Sequence, residues 1–192
     1  MKFGDSLWKR VKAFDVGSSL TSPPLAEARF FLLDVDVTGV NIRRDRAIGI
    51  AILPFDSGRF RVSDIVWTPL ALSDEGGKES SWRDSYAEMV ESIAASPVIT
   101  YNPRFVRHMI KHIADEHDLS LPYGSEWIDL AAILDGAIGR EAGEDASLHS
   151  WQRRLDIEVR EGHSAIADVF AMAQLLEVAF GYCEDLRIAT LD

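Results

Sequence analysis

The sequence predicts a single α/β domain: a mixed sheet, made of an antiparallel three-strand meander plus parallel strands, flanked by helices. Three observations predict it. Apolar runs of strand length crowd together after residue 28, helical periodicity takes over from residue 82, and one short apolar run at 97–101 lies between helical segments. With 192 residues, 47% apolar and 27% charged, the chain has room for one ordinary domain with a full core.

Residues 1–28 hold a short basic segment (Lys2, Lys9, Arg10, Lys12) and a Ser/Pro stretch ending in Pro23-Pro24, which reads as an irregular lead-in. The domain is expected over 29–185, with 186–192 as a tail. Phe30-Phe31-Leu32-Leu33 running into Asp34 is a buried strand, 47–55 is a second, and 59–67 alternates as a third. The polar segments 41–45 and 56–58 are the turns between them. After a polar loop at 73–80, residues 82–95 have helical spacing, with Tyr86, Met89, Val90 and Ile93 on one face. The apolar run 97–101 is a further strand. Helices are expected at 103–117, 127–138, 147–155 and 164–182. In a sheet of this kind ligands are expected at the strand ends.

Charge and cysteine content narrow the function classes. The formal net charge is −11, with residues 1–70 near +2 and residues 71–192 near −13. That balance argues against tight, nonspecific duplex binding, which depends on neutralising many phosphates. A local site that holds one strand end through divalent ions needs few such contacts, because the metals supply the positive charge. A single cysteine, Cys183, excludes an internal disulfide framework and a cysteine-rich zinc site. There is no run of about 18 consecutive apolar residues and no apolar signal-peptide segment, so the expectation is a cytoplasmic protein with no membrane partner.

Two places carry candidate chemistry. Asp34 and Asp36 stand at i and i+2 where an apolar strand ends, so their side chains share one face at the solvent rim. Two carboxylates this close repel unless a cation lies between them, and hard oxygen ligands suit Mg²⁺ or Mn²⁺. The bland alternative is a pair of solvated strand-end aspartates. Near the other end, His163 and Asp168 open the long last helix in Gly-His-Ser-Ala-Ile-Ala-Asp. A neutral histidine there can take a proton from an attacking water, while a surface histidine and a salt-bridged aspartate are the ordinary readings of the same residues.

Taken together these pieces resemble the DEDDh 3'-5' exonucleases, the family of bacterial polymerase proofreading subunits and RNase T. Its first motif, Asp-x-Glu-Thr-Gly, is resembled by Asp34-Val35-Asp36-Val37-Thr38-Gly39, with Asp36 in the glutamate's place and Val37 as one additional residue before Thr38. The third, His-x-Ala-x-x-Asp, is matched by His163, Ala165 and Asp168. Trp127-Ile128-Asp129-Leu130-Ala131 resembles the family's apolar Asp-Thr-Leu segment, and Ser147-Leu148 its Ser-Leu helix. The second motif, His-Asn-x-x-Phe-Asp, falls on Tyr101-Asn102-Pro103-Arg104-Phe105-Val106 and departs from the pattern: Asn102 and Phe105 persist, but valine replaces the aspartate.

The resemblance implies a ribonuclease H-like fold and metal-dependent hydrolysis of the terminal phosphodiester of a single-stranded DNA or RNA 3' end, or binding of a nucleotide. It implies Asp34, Asp36 and Asp168 as metal ligands, His163 as general base, and Thr38, Val40, Asn102 and Phe105 as substrate contacts. Two ions act in the family's reaction; with Val106 in the second motif, one strong site and one weak or absent site are expected, and slow chemistry. A catalytically inactive binding module of the same fold is the alternative, as is a protein partner or a homodimer. Asp34-Val35-Asp36-Val37-Thr38 also fits the Asp-x-Asp-x-Thr motif of haloacid-dehalogenase-like phosphatases. Thr100 and Lys111 can be nominated as that mechanism's further residues, but no Gly-Asp-x-x-x-Asp segment follows. His108, His112 and His117 have zinc-compatible spacing without a Glu-x-x-His frame.

Overall fold

The structure is a computed structural model, which describes residues 29–70, 79–94, 96–121, 126–157 and 164–185. The expected lead-in, residues 73–78 of the polar loop expected over 73–80, the tail and His163 lie outside the described residues, and residues 79–80 belong to the helix that follows.

The first strand, β1 (Arg29–Val37), is buried on both faces, which is why it reads as a continuous apolar run. Phe30 and Leu32 enter one core cluster, and Phe31, Leu33 and Val35 enter the other. It pairs antiparallel with β2 (Ala47–Asp56), with Asp34 opposite Ala51 and Asp36 opposite Gly49. The register shifts between Asp36 and Val37, a bulge immediately after the two carboxylates, and pairing resumes at Val37 opposite Ala47.

The expected third strand over 59–67 is broken in two. β3 (Arg59–Phe60) and β4 (Val66–Pro69) both pair with β2, separated by a 3₁₀ turn at Val62–Asp64. None of the turn's residues is buried, so nothing holds that stretch in the ladder. On the other side of β1 lies β5 (Val98–Thr100), which is parallel to it, and beyond that β6 (Trp127–Asp129), parallel to β5. The sheet thus runs β3-β2-β1-β5-β6, with β4 also on β2.

Helices cover both faces. On one side α1 (Glu79–Ile93) and α2 (Pro103–His117) bury Trp82, Tyr86, Ile93, Val106, Met109 and Ile110 against the sheet. On the other, α3 (Leu130–Ala137), α4 (Leu148–Arg154) and α5 (Ala165–Asp185) surround Leu32, Leu53 and Phe55. The helix expected over 127–138 starts three residues late, because 127–129 form β6. Asp129 then caps α3 by accepting the Ala131 N–H at 3.0 Å. A three-residue strand leading into an apolar helix has no periodicity of its own to announce it. Over Ala165–Cys183, α5 is long and apolar enough to cross a membrane by length and composition alone. Val169, Met172, Leu175 and Leu176 are all fully buried in the core, as in a central helix of a globular domain.

Candidate active site

The site is built at the end of β1 by one spatial coincidence. Asp34 and Asp36 lie two residues apart on a strand, about 7 Å along it, and project toward the face that α5 covers. Asp36 Oδ1 accepts the backbone N–H of Ala165, the first residue of α5, at 2.6 Å. This charge-assisted bond satisfies one of the otherwise unpartnered amides of a helix start and anchors that start on β1. Asp168 is three residues further, close to one helical turn on and about 4.5 Å along the axis. The anchor therefore carries Asp168 toward Asp34, and the two carboxylates interact electrostatically.

Asp34 shows the consequence. Its carboxyl is pushed up to about 8, first by burial, then by the negative charge of Asp168, and least by Asp36; a hydrogen bond from the Val35 N–H opposes the rise. A carboxyl in that state keeps its proton at neutral pH unless a cation takes the proton's place.

Asp36 is differently placed. Its second oxygen, Oδ2, accepts from the indole Nε1–H of Trp67 on β4 at 2.8 Å. The indole reaches it by passing over Gly49, where an added Cβ would lie 2.6 Å from Nε1. Both Asp36 oxygens are thus engaged within the protein, and the carboxylate ties β1, β4 and α5 together. Sequence reasoning did not find Trp67; the only trace is a glycine in an otherwise apolar strand, and the partner it makes room for is 18 positions away.

The expected substrate contacts also have duties in the fold. Thr38 Oγ1 accepts the Arg46 N–H at 3.0 Å and donates to Asp45 at 3.4 Å, bracing the β1–β2 loop. Asn102 adopts a left-handed backbone conformation (φ 57°) and its side chain caps α2 by accepting the Phe105 N–H at 3.4 Å. Phe105 is half-buried against the core, whereas Val40 is 85% exposed. Val106 is 1% exposed and sits in the core cluster that includes Met109 and Ile110. Near the end of β5, the Tyr101 hydroxyl donates to the Ala146 carbonyl and is pushed above its ordinary range, chiefly by burial and then by Asp129. Asp129 is itself raised by burial, against hydrogen bonds from the Ala131 and Asn102 backbone N–H groups.

Among the described residues no three His, Cys, Asp or Glu side chains are grouped so as to hold a metal ion. The donor set that remains is the Asp34/Asp168 pair, whose mutual repulsion on ionisation a cation would relieve. One or two carboxylates completed by water and phosphate oxygens is the usual way Mg²⁺ is held, so the pair fits one such ion. For a second ion the second motif offers only Val106, which has no donor atom.

No protein-family profile and no curated protein sequence matches this chain. Solved structures do match. Escherichia coli exonuclease I in complex with a dT13 oligonucleotide superposes with a TM-score of 0.63 at 17% identity, over 84% of this chain and 43% of the other. A zinc-bound form of the E. coli exonuclease I–single-stranded DNA complex gives 0.58 at 18%, over 84% and 43%. Cell-death related nuclease 4 gives 0.64 at 12%, over 85% of this chain and 66% of that one. The fold is the ribonuclease H-like fold of these nucleases. This chain spans less than half the length of exonuclease I, and at such identities the likeness is one of fold.

Proposed function

We propose that this protein is a metal-dependent 3'-5' exonuclease-type phosphodiesterase of the DEDDh kind, with a reduced carboxylate set, acting on single-stranded nucleic-acid ends. The observation that carries the reading is Asp34: a carboxyl raised to about 8 beside Asp168 and Asp36, at the end of the central strand of an exonuclease fold.

In this reading Asp34 and Asp168 hold one Mg²⁺ or Mn²⁺. When bound, the ion supplies the positive charge that neutralises the pair and stabilises the phosphate and the departing oxygen. The protein's own groups do the rest. Asp36 fixes the start of α5, and with it Asp168. His163, two residues before Ala165, takes the proton of the attacking water. Asn102, at the start of α2, and Val40, on the loop after β1, are where the terminal sugar and base are expected to lie.

The test is release of mononucleotides from a 3'-labelled oligonucleotide by pure protein with Mg²⁺ or Mn²⁺, in parallel with Asp34→Asn. Metal-dependent release that Asp34→Asn removes supports the reading; equal release by both would assign the cleavage elsewhere.

A second reading has a specific observation behind it. Val106 is packed into the core in place of the second-ion ligand, and Asp36 is engaged in two hydrogen bonds. A protein that binds strand ends or nucleotides without cutting them needs neither group free. Retained Mn²⁺-dependent binding of a mononucleotide with no hydrolysis would favour it.

A further inference from the structure

We infer that the β1–β2 loop and the adjoining start of α2 form a basic surface that holds the phosphate backbone of a single strand, upstream of the end bound at Asp34. This deepens the proposed function and rests on it.

In a chain with a net charge of −11, the segment 41–46, Asn-Ile-Arg-Arg-Asp-Arg, carries three arginines against one aspartate. Arg43 and Arg44 are exposed at its tip, and neither guanidinium has an ion-pair partner among the described residues. Arg46 is paired with Glu116 on α2 at 2.6 Å, and so serves to hold the loop. Asp45 is turned inward: its Oδ2 accepts the Asn41 N–H at 2.7 Å, so the loop's one acidic group is used to shape it.

The loop is also fixed in place. Besides the Arg46–Glu116 pair, the His108 Nε2 on α2 lies 3.2 Å from the Ile42 carbonyl oxygen. The His108 tie lays the tip of the loop beside the start of α2, one helical turn from the exposed Arg104, and the Arg46–Glu116 pair fixes the loop's return to β2 near the other end of that helix. A rigid placement matters, because a phosphate contact that first had to order a loop would lose much of its gain to entropy.

Position gives the surface its partner. The loop leaves β1 two residues after Asp36, and α2 begins where the parallel strand β5 ends, so both flank the carboxylates. The catalytic end itself is acidic and repels phosphates, whereas the loop beside it is basic. An elongated polyanion that enters an acidic centre through its last residue needs positive charge one or a few phosphates away. Ile42 (43% exposed) offers apolar contact beside the guanidinium groups. That mixture suits an unpaired strand, whose bases are uncovered, better than a duplex.

The experiment measures binding of 20-nucleotide oligo(dT) and oligo(U) by the full chain across a salt series. The variants are Arg43→Glu/Arg44→Glu, the milder Arg43→Gln/Arg44→Gln, and Arg59→Glu/Arg61→Glu. The last makes the same charge change at the far end of β2. The expected result is at least a tenfold loss of affinity at 50 mM salt for the first variant, and a smaller loss for the second. The salt slope should fall by about 1.4, at roughly 0.7 for each single-strand phosphate that is no longer neutralised. The control should lose less than threefold. Equal losses in the first variant and the control would reduce the effect to bulk charge and overturn the inference. So would unchanged strand binding in the first two variants, or loss only of binding to an acidic peptide. Wild-type hydrolysis of p-nitrophenyl thymidine 5'-phosphate, which has no upstream strand, tests the phosphodiesterase reading alone. Turnover of that compound without any effect of Arg43 and Arg44 on strand binding sinks the basic surface and leaves the activity standing.

Discussion

Trp67 Nε1–H donates to Asp36 Oδ2 at 2.8 Å, across a neighbouring strand that has glycine where the indole passes. The two residues lie on strands that do not pair with each other, so this bond and the Asp36–Ala165 hydrogen bond together lock β4, β1 and α5 around the carboxylates. Removing the donor while keeping an aromatic ring, as in Trp67→Phe, is expected to destabilise the protein by about 1 kcal/mol, since the bond involves a charged acceptor but is exposed to water. Gly49→Ala should clash with the indole. In a Trp67→Ala background the same change should be nearly neutral, giving a coupling on the order of 1 kcal/mol in a double-mutant cycle of urea unfolding. Additive losses would mean that the indole does not pass over Gly49.

The same geometry bears on Asp36→Glu, which supplies the residue that the resembled family has. One extra methylene displaces the carboxylate from its 2.6 Å hydrogen bond with the Ala165 N–H, and the start of α5 loses its anchor. The expected cost is about 1–2 kcal/mol, in the range seen when a helix cap is removed, with an accompanying fall in whatever Asp34 and Asp168 do together. Thermal unfolding and amide exchange at the first turn of α5 check it. An unaltered first turn in a fully stable Glu variant would show that the anchor is dispensable.

Much of the fold was legible in the sequence, for reasons the structure makes concrete. β1, β2 and α5 could be read because each buries enough apolar surface to leave a periodic signature; Leu32, Leu33, Leu53 and Leu176 are all fully buried. The break between β3 and β4 was not legible, because Val62 sits in an apolar-alternating stretch yet is 58% exposed. Nor was β6, which lacks the length to show a period. At the site, the strand-end position of Asp34 and Asp36 and the helix-start position of Asp168 followed from local pattern. What each carboxylate faces did not. Trp67, Gly49 and Ala165 reach Asp36 through pairings of distant segments, and Thr38 and Asn102 are engaged by Asp45 and the α2 backbone for equally nonlocal or conformational reasons.

Stability should depend on pH through Asp34. Its carboxyl is raised in the folded state to about 8 from an ordinary value of 3.8, so between those values the folded protein holds a proton that the unfolded chain has released. Stability then falls as pH rises from about 4 to about 8 and levels off above that. Asp34→Asn, which removes the charge, should do little at pH 4. At pH 8.5 it should stabilise by on the order of 2 kcal/mol, or about 4–8 °C in Tm for a domain of this size. Mn²⁺ should raise the wild-type Tm at pH 8.5 and leave Asp34→Asn unchanged. A mutant that gains nothing at high pH would place Asp34 in contact with water or with a partner charge that is not Asp168.

Val106 stands where the resembled family carries an aspartate. Val106 is 1% exposed and lies on α2 in the cluster with Met109 and Ile110, so Val106→Asp brings a carboxylate into a packed apolar region. Without metal the expected loss is about 1–3 kcal/mol. The position is in the first turn of α2, just beyond the end of β5, so a carboxylate that finds an ion shared with Asp34 can recover part of that loss. The signature is therefore a variant less stable than the parent in EDTA, with a larger Tm rise than the parent in Mn²⁺. If the missing second-ion ligand limits the chemistry, mononucleotide release should rise at least tenfold, equivalent to about 1.4 kcal/mol of transition-state stabilisation. Adding His163→Ala should remove most of that gain by taking away the proton acceptor. A folded Val106→Asp variant that gains neither Mn²⁺-dependent stability nor activity on DNA and RNA ends would mean that α2 holds position 106 turned away from Asp34. The chain would then have left two-ion hydrolysis through its backbone and packing, beyond the reach of a single side chain, and binding of strand ends without cleavage would become the better account.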